Sequence, residues 1–409
     1  MASSVSDNAA SRHRSHCRHC TLGTLVVVAA LGAEGASASA DPLRLRADAY
    51  AFGNGGNGGA GLLSLQGRDK FTPWLDAEAQ IWLGAGDGSA GDVLIIAANA
   101  RDLKGRASVR VGRQLVVSGA LRPMHLDGVD AHVRAPAGID VEAFAGFPVI
   151  AQSGPRQFDW LVGGRVSRRV WGGRLGLGAM ESRDRGALDT REIGIDGSWP
   201  VTKRIDLTTA VVLDTIRFGL AETRASAMWS KRTLRLELFG VQRTAAHLLP
   251  ATSLFSVLGD VPAVRTGGAA RWRAAPRLDV TATAGVRIID GEIAEDLIAG
   301  TRLRLNDSGS SAVGLELTRE GGAGYAWTGA RATGRYTFCP AWMASAEFEL
   351  ARPDDDRGRG KLWPWGLAAV TWRSESKWDA AMAVEASASP ELRYRVDVLA
   401  RLSRRWEAL

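Results

Sequence analysis

The sequence predicts an all-β protein, a single transmembrane antiparallel up-and-down β-barrel with a water-filled lumen and about 18 strands, within a range of roughly 16 to 20. Three observations predict it. Apolar and polar residues alternate with a period of two in run after run along the chain. The runs are long and number about twenty, each bounded by turn residues. An export signal precedes them.

The alternation is clearest in "ELRYRVDVLARL", residues 391–402. Leu392, Tyr394, Val396, Val398, Ala400 and Leu402 take every second position, with Arg393, Arg395, Asp397 and Arg401 between them. A period of two means a strand with two unlike faces. "RIDLTTAVVLD", "RLDVTATAGVRI", "KWDAAMAVEAS" and "TLRLELFG" repeat the pattern. "GGRLGLGAME" and "WGLAAVTWRS" alternate weakly, and Arg113 places a charge after Val109 and Val111, where a bulge would restore the pattern. A soluble sandwich uses strands nearer ~5–6 residues. A membrane barrel uses ~9–11, apolar outward and polar inward. The longer runs favour the barrel. At about twenty residues per strand and turn, the chain after the signal yields ~18 strands.

The signal occupies residues 1–40. Arg12, Arg14 and Arg18 precede a short apolar run from Leu22 to Ala33, and Ala38-Ser39-Ala40 has the small-x-small form of a cleavage site. The run is too short for a membrane helix. Cys17 and Cys20 fall inside the signal, so their spacing is not read as a metal site. Residues 41–409 form the barrel domain. They retain Cys339 alone, which excludes an intramolecular disulfide. Cleavage leaves 369 residues with 48 Lys and Arg against 42 Asp and Glu, a net +6. The charges are dispersed, which argues against nucleic acid as a partner. Fourteen Trp against four Tyr suit a membrane–water interface.

"VRVGRQLVVSGALRPMHLDGVDAHVRAPAGIDVEAFAGFPV", residues 109–149, contains "GRQ", a turn, and "DGV" opening the next strand. This stretch resembles the alginate-export and related carbohydrate-porin barrels, within the porin-type outer-membrane β-barrels. The resemblance implies a cell-outer-membrane location in a Gram-negative envelope and passive passage of small polar solutes. It also implies outer-membrane lipid and the barrel-assembly machinery as partners. The chain departs from such barrels at its end, where Glu407, Ala408 and Leu409 follow Trp406.

Inward positions set what a wide barrel passes. Asp130, His132 and Arg134 alternate with outward Val129, Ala131 and Val133; Asp140 and Glu142 alternate with Ile139, Val141 and Ala143. Opposed rows of this kind would set a field across the pore, whereas charges on one wall would pair and stiffen it. Arg302, Arg304, Arg331, Arg335, Arg393, Arg395 and Arg401 form a basic inward set. They favour anions if they share a level, and Glu316, Glu320, Glu347, Glu349 and Glu385 on the same side oppose that preference. Residues 243–264 are too apolar for a free loop and are expected to fold into the lumen or pack at the rim. The glycine run at 53–61 fits G-x-G-x-x-G without a βαβ unit or a following Lys, so a flexible loop is expected and no nucleotide or other cofactor.

The function expected is a porin-like channel. An adhesin or assembly scaffold is the second reading. A barrel-embedded hydrolase is the third, with Ser118, His125 and Asp127 as its nearest grouping. Energy-coupled transport is not expected, because the first strand begins near Pro42 and leaves no length for a plug.

Overall fold

The computed structural model describes residues 43–54, 58–86, 88–149, 158–244, 263–289, 291–322, 326–354, 362–388 and 394–407. Twenty-two strands make one sheet. They begin with β1 (Arg44–Asn54), β2 (Gly58–Thr72), β3 (Leu75–Ala85), β4 (Ser89–Arg101), β5 (Ala107–Val116), β6 (Met124–Ala135) and β7 (Ile139–Pro148). Next come β8 (Phe158–Val170), β9 (Gly173–Asp184), β10 (Ala187–Thr202), β11 (Ile205–Asp214), β12 (Gly219–Lys231), β13 (Leu234–Arg243) and β14 (Ala263–Ala275). The last eight are β15 (Leu278–Ile289), β16 (Glu292–Arg304), β17 (Ala312–Glu320), β18 (Trp327–Cys339), β19 (Trp342–Pro353), β20 (Trp363–Arg373), β21 (Trp378–Ser387) and β22 (Arg395–Glu407). Each strand pairs antiparallel with the next, and β1 pairs with β22 from Arg44↔Glu407 to Asn54↔Asp397. The sheet is therefore closed and has no free edge.

The count is 22, not the expected 18 or so. The estimate of about twenty residues per repeat was too long. At the end that carries the chain termini most turns are two residues, as at Lys203-Arg204, Arg232-Thr233 and Pro340-Ala341. Trp171 and Gly172 both have positive φ, 49° and 80°, which matches the twist of a two-residue hairpin. At the opposite end most connections are longer. Short turns mark the periplasmic end of such barrels and long loops the outer end.

The outer face is apolar. Leu177, Leu238, Leu317 and Met382 each expose more than half of their surface on it. Seven tryptophans, Trp199, Trp229, Trp272, Trp342, Trp372, Trp378 and Trp406, share this parity near the turn end, and Trp74 and Trp171 sit in turns there. The Arg404 guanidinium lies 4.7 Å from the Trp378 ring and 4.9 Å from the Trp406 ring. This is an aromatic girdle at a headgroup boundary.

The weak runs are strands β9 and β20. No bulge interrupts β5 at Arg113. The side chain stays on the outward parity, where Asp127 at 2.7 Å and Asp92 at 2.9 Å balance it. The glycine run is mostly hairpin strand rather than free loop: Gly53 pairs with Gly59 and Asn54 with Gly58. Residues 55–57, the signal at 1–40 and residues 245–262 lie outside the described residues.

Candidate functional site

The site is the lumen, which one connection among the described residues enters. Residues 117–123, between β5 and β6, turn inward and lie against the lumen faces of β7 to β12. Ser118 Oγ donates to Glu142 on β7 at 2.8 Å. Gly119 has φ +56°, and a Cβ there would collide with the Arg165–Asp196 pair of β8 and β10. That pair is bidentate, with Arg165 Nε 2.8 Å from Asp196. Leu121 sits over Gly178 and Gly194, where an added Cβ would come within 3.1 and 3.3 Å of its side chain. Small residues on the wall thus make room for a large one on the loop. Ala120 packs with Val212 and Ala221 of β11 and β12.

Two further features lock the loop. Arg122 forms an ion pair with Glu192 of β10, and their side chains are 6% and 0% exposed. Val116, Leu121, Met124, Leu126, Phe144, Leu161 and Met180 form an apolar cluster inside the barrel. A buried charge pair stripped of one partner typically costs ~3–5 kcal/mol, so the loop is held in one place. Sequence reading weighed Ser118 for hydrolysis but did not foresee that residues 117–123 enter the lumen. A signal was present: Gly176, Gly178 and Gly194 occupy inward positions, where a water-filled barrel would carry polar side chains.

The predicted inward residues fall as follows. Asp130, His132, Arg134, Asp140 and Glu142 are on the lumen parity, but β6 and β7 are adjacent and their rows do not face each other across the pore. They neutralise one another on one wall. Arg134 Nε is 3.2 Å from Asp140, His132 Nε2 is 3.6 Å from it, and Arg174 joins at 3.3 Å. The basic set does not share a level either. Arg304 ends β16 at the turn end, where Asp279 holds it at 2.7 Å. Arg335 is tied to the backbone of the next turn, donating to Ser310 O and Gly309 O at 2.9 and 2.8 Å. Arg395 begins β22 at the far end and pairs with Asp397 at 2.7 Å. Arg331 is bound to Glu347, opposite Glu316 and Glu349, with its guanidinium over Trp365. Trp365 in turn donates to Glu385 at 2.7 Å. Arg302 and Arg401 are on the lumen parity without a carboxylate within ion-pair distance among the described residues. Arg393 lies outside the described residues.

The grouping weighed for hydrolysis is not assembled. Ser118 is inside the lumen on Glu142, whereas His125 is on the outward parity with Nε2 against the Leu94 carbonyl. Among the described residues no three His, Cys, Asp or Glu side chains are grouped to hold a metal.

No family model matches the chain, and no curated protein matches it in sequence. Solved structures do match in fold. The siderophore receptor PirA from Pseudomonas aeruginosa aligns with TM-score 0.62 and 10% identity, over 90% of this chain and 80% of that one. The translocation pore of the P pilus usher PapC aligns with TM-score 0.51 and 10% identity, over 88% and 99%. OccD3 (OpdP) from Pseudomonas aeruginosa covers 90% and 92% at 8% identity, but its TM-score of 0.45 is too low to add weight. At such identities the likeness is one of fold. The closed sheet, the apolar outer face, the tryptophan girdle and the fold shared with the receptor and the usher pore agree: the chain has the fold of a 22-stranded transmembrane β-barrel.

Proposed function

We propose that the barrel is a passive channel for small polar solutes, preferring anions. One observation carries the reading. Among the described residues, the lumen filling is confined to one side. Leu126, Glu192 and Val212 are essentially buried beneath loop 117–123. Across the barrel, the lumen-facing side chains of Arg373 on β20 and Arg405 on β22 are 66% and 55% exposed. A closed sheet of 22 strands spaced by ~4.8 Å and tilted by ~40° is roughly 40 Å across. One seven-residue loop cannot fill that width. The uncovered wall is polar, and hydrated side chains there suit solute passage. On this reading Asp130, His132, Arg134, Asp140, Glu142, Arg302, Arg304, Arg331, Arg335, Arg395 and Arg401 border the solute path.

The preference for anions rests on the turn-end mouth, not on the Arg331 region with its four glutamates. Asp76 is flanked by Arg68 and Arg101, and Asp140 by Arg134 and Arg174. Asp279 is flanked by Arg271, Arg273 and Arg304, and Asp379 by Arg373 and Arg405. Each carboxylate faces at least two guanidiniums, which leaves this mouth positive.

Planar bilayers test the proposal. The purified protein is expected to give discrete conductance steps without added substrate, and a KCl gradient is expected to give a reversal potential of the sign for chloride. A refolded barrel that conducts nothing would end the channel reading. A potential of the opposite sign would end the anion preference.

A further inference from the structure

We propose that the barrel seam, where β22 meets β1 and β2, carries a binding site for a multiply charged oxyanion such as a phosphate-bearing solute. The site deepens the channel reading and rests on it for access through the lumen.

Arg44 and Arg46 of β1, Arg68 of β2 and Arg405 of β22 line one cavity of about 310 Å³ near the turn end, together with Gln66, Gln80 and the carboxylates Glu78 and Glu407, which stand opposite Arg68 and Arg44. The register makes the grouping unusual. Arg44 stands directly opposite Arg68 across the β1–β2 ladder. Arg46 stands directly opposite Arg405 across the β1–β22 ladder. Like charges directly opposite one another destabilise a sheet. Two such pairs here converge on one cavity at the strand that closes the barrel. An anion seated between them converts both repulsions into attraction.

The nearby carboxylates do not remove this excess, because cations outnumber them and three of the five are chiefly held by cations outside the four arginines. Glu407 binds Lys377 at 2.6 Å, and Glu78 binds Arg110. Asp76 binds Arg101, and Asp379 is held by Arg405 at 3.0 Å with Arg373 at 3.6 Å. Asp48 is taken by Arg46 at 2.7 Å and accepts from Ser403. Arg44 makes no ion pair among the described residues, and Arg68 reaches Asp76 only at 3.9 Å. The network thus contains eight cations, Arg44, Arg46, Arg68, Arg101, Arg110, Arg373, Lys377 and Arg405, against five carboxylates. Guanidinium forks match the paired oxygens of phosphate and carboxylate. Gln66 and Gln80 add neutral amide donors to the same wall. A group carrying two or more charges satisfies such a set better than chloride does.

Pyrophosphate is the probe. Calorimetric titration of the refolded full chain in detergent is expected to show one saturable site. Arg44→Gln/Arg68→Gln is expected to weaken it at least tenfold. Arg265→Gln, on β14 and paired with Asp296, is expected to leave it within twofold. Folding of each variant is checked by the gel mobility shift between heated and unheated samples. Arg44→Lys keeps the charge but loses the fork, and is expected to weaken binding severalfold. Absence of saturable binding would overturn the site. So would equal weakening in the β14 variant, or full retention in Arg44→Lys, because either would mean a diffuse field. The titration needs no conduction. Binding without conductance would keep the site and remove the channel; conductance without binding would do the reverse.

Discussion

Replacing Glu192 by alanine is expected to release loop 117–123 from the wall and raise the single-channel conductance. Glu192 is fully buried and pairs with Arg122, itself 6% exposed. Without the carboxylate, the guanidinium loses its Glu192 ion pair in a dry site beside Leu121, Ala120 and the β10 wall. The cost to the docked loop is ~3–5 kcal/mol. Undocking is an available escape, because Arg122 then reaches lumen water. The β5–β6 ladder does not include these residues, so the barrel is expected to refold. The double variant Glu192→Ala/Arg122→Met removes both charges and keeps an apolar side chain of similar length. Exchanging a buried pair for apolar groups is often close to neutral, so the loop is expected to redock and conductance to fall back toward the parent value. Unchanged conductance in a folded Glu192→Ala protein would mean that this loop does not narrow the path.

The second large effect concerns the two faces of a strand. Met382 lies on the outer face of β21, opposite Ala400, four residues from girdle residue Trp378. A strand crosses the bilayer in ~9–11 residues, so Met382 is near the midplane. Met382→Arg is expected to cost ~2–4 kcal/mol in urea unfolding from lipid vesicles. The next residue, Ala383, points into the lumen. Ala383→Arg places the same charge in water and is expected to change stability by less than ~1 kcal/mol. Neighbouring positions share strand propensity, so only the facing differs. Val396 is a weaker choice, because it is the second residue of β22 and sits near the loop-end boundary. Equal losses in the two variants would mean that β21 has no lipid face.

These faces were legible because a period of two survives in the residues themselves. Leu278, Val280 and Ala282 do face opposite to Asp279, Thr281 and Thr283. The tryptophans were legible as interfacial residues, but not as one girdle, since that depends on the register of seven strands. The strand count was not legible. Turns such as Lys203-Arg204 look like any polar pair, and only backbone closure shows that two residues suffice. The inward loop was hidden for a different reason. Its partners, Glu142, Glu192 and Gly194, lie some 24 to 74 residues further along the chain, and nothing local in "VSGALRP" names them. The charges of β6 and β7 fall on the lumen parity and pair on one wall, the alternative set beside opposed rows. The sequence could not choose between the two, because the period says which face a residue takes and not which wall.

Closure of the sheet is the claim on which lumen, loop and path all depend, and a disulfide across the seam tests it most directly. Ala49 on β1 and Leu402 on β22 are cross-strand partners with outward side chains. Directly opposed residues have Cα atoms ~4.5–5.5 Å apart, within the ~4.4–6.8 Å that a disulfide accepts. In a Cys339→Ser background, Ala49→Cys/Leu402→Cys is expected to oxidise readily in the refolded protein. Mass spectrometry of the digest is then expected to show one peptide joining residues 49 and 402. Ala49→Cys/Leu399→Cys, whose second thiol faces the lumen, is expected not to cross-link. Failure of the first pair to link in folded protein, or equal linking of both, would contradict a closed barrel in this register.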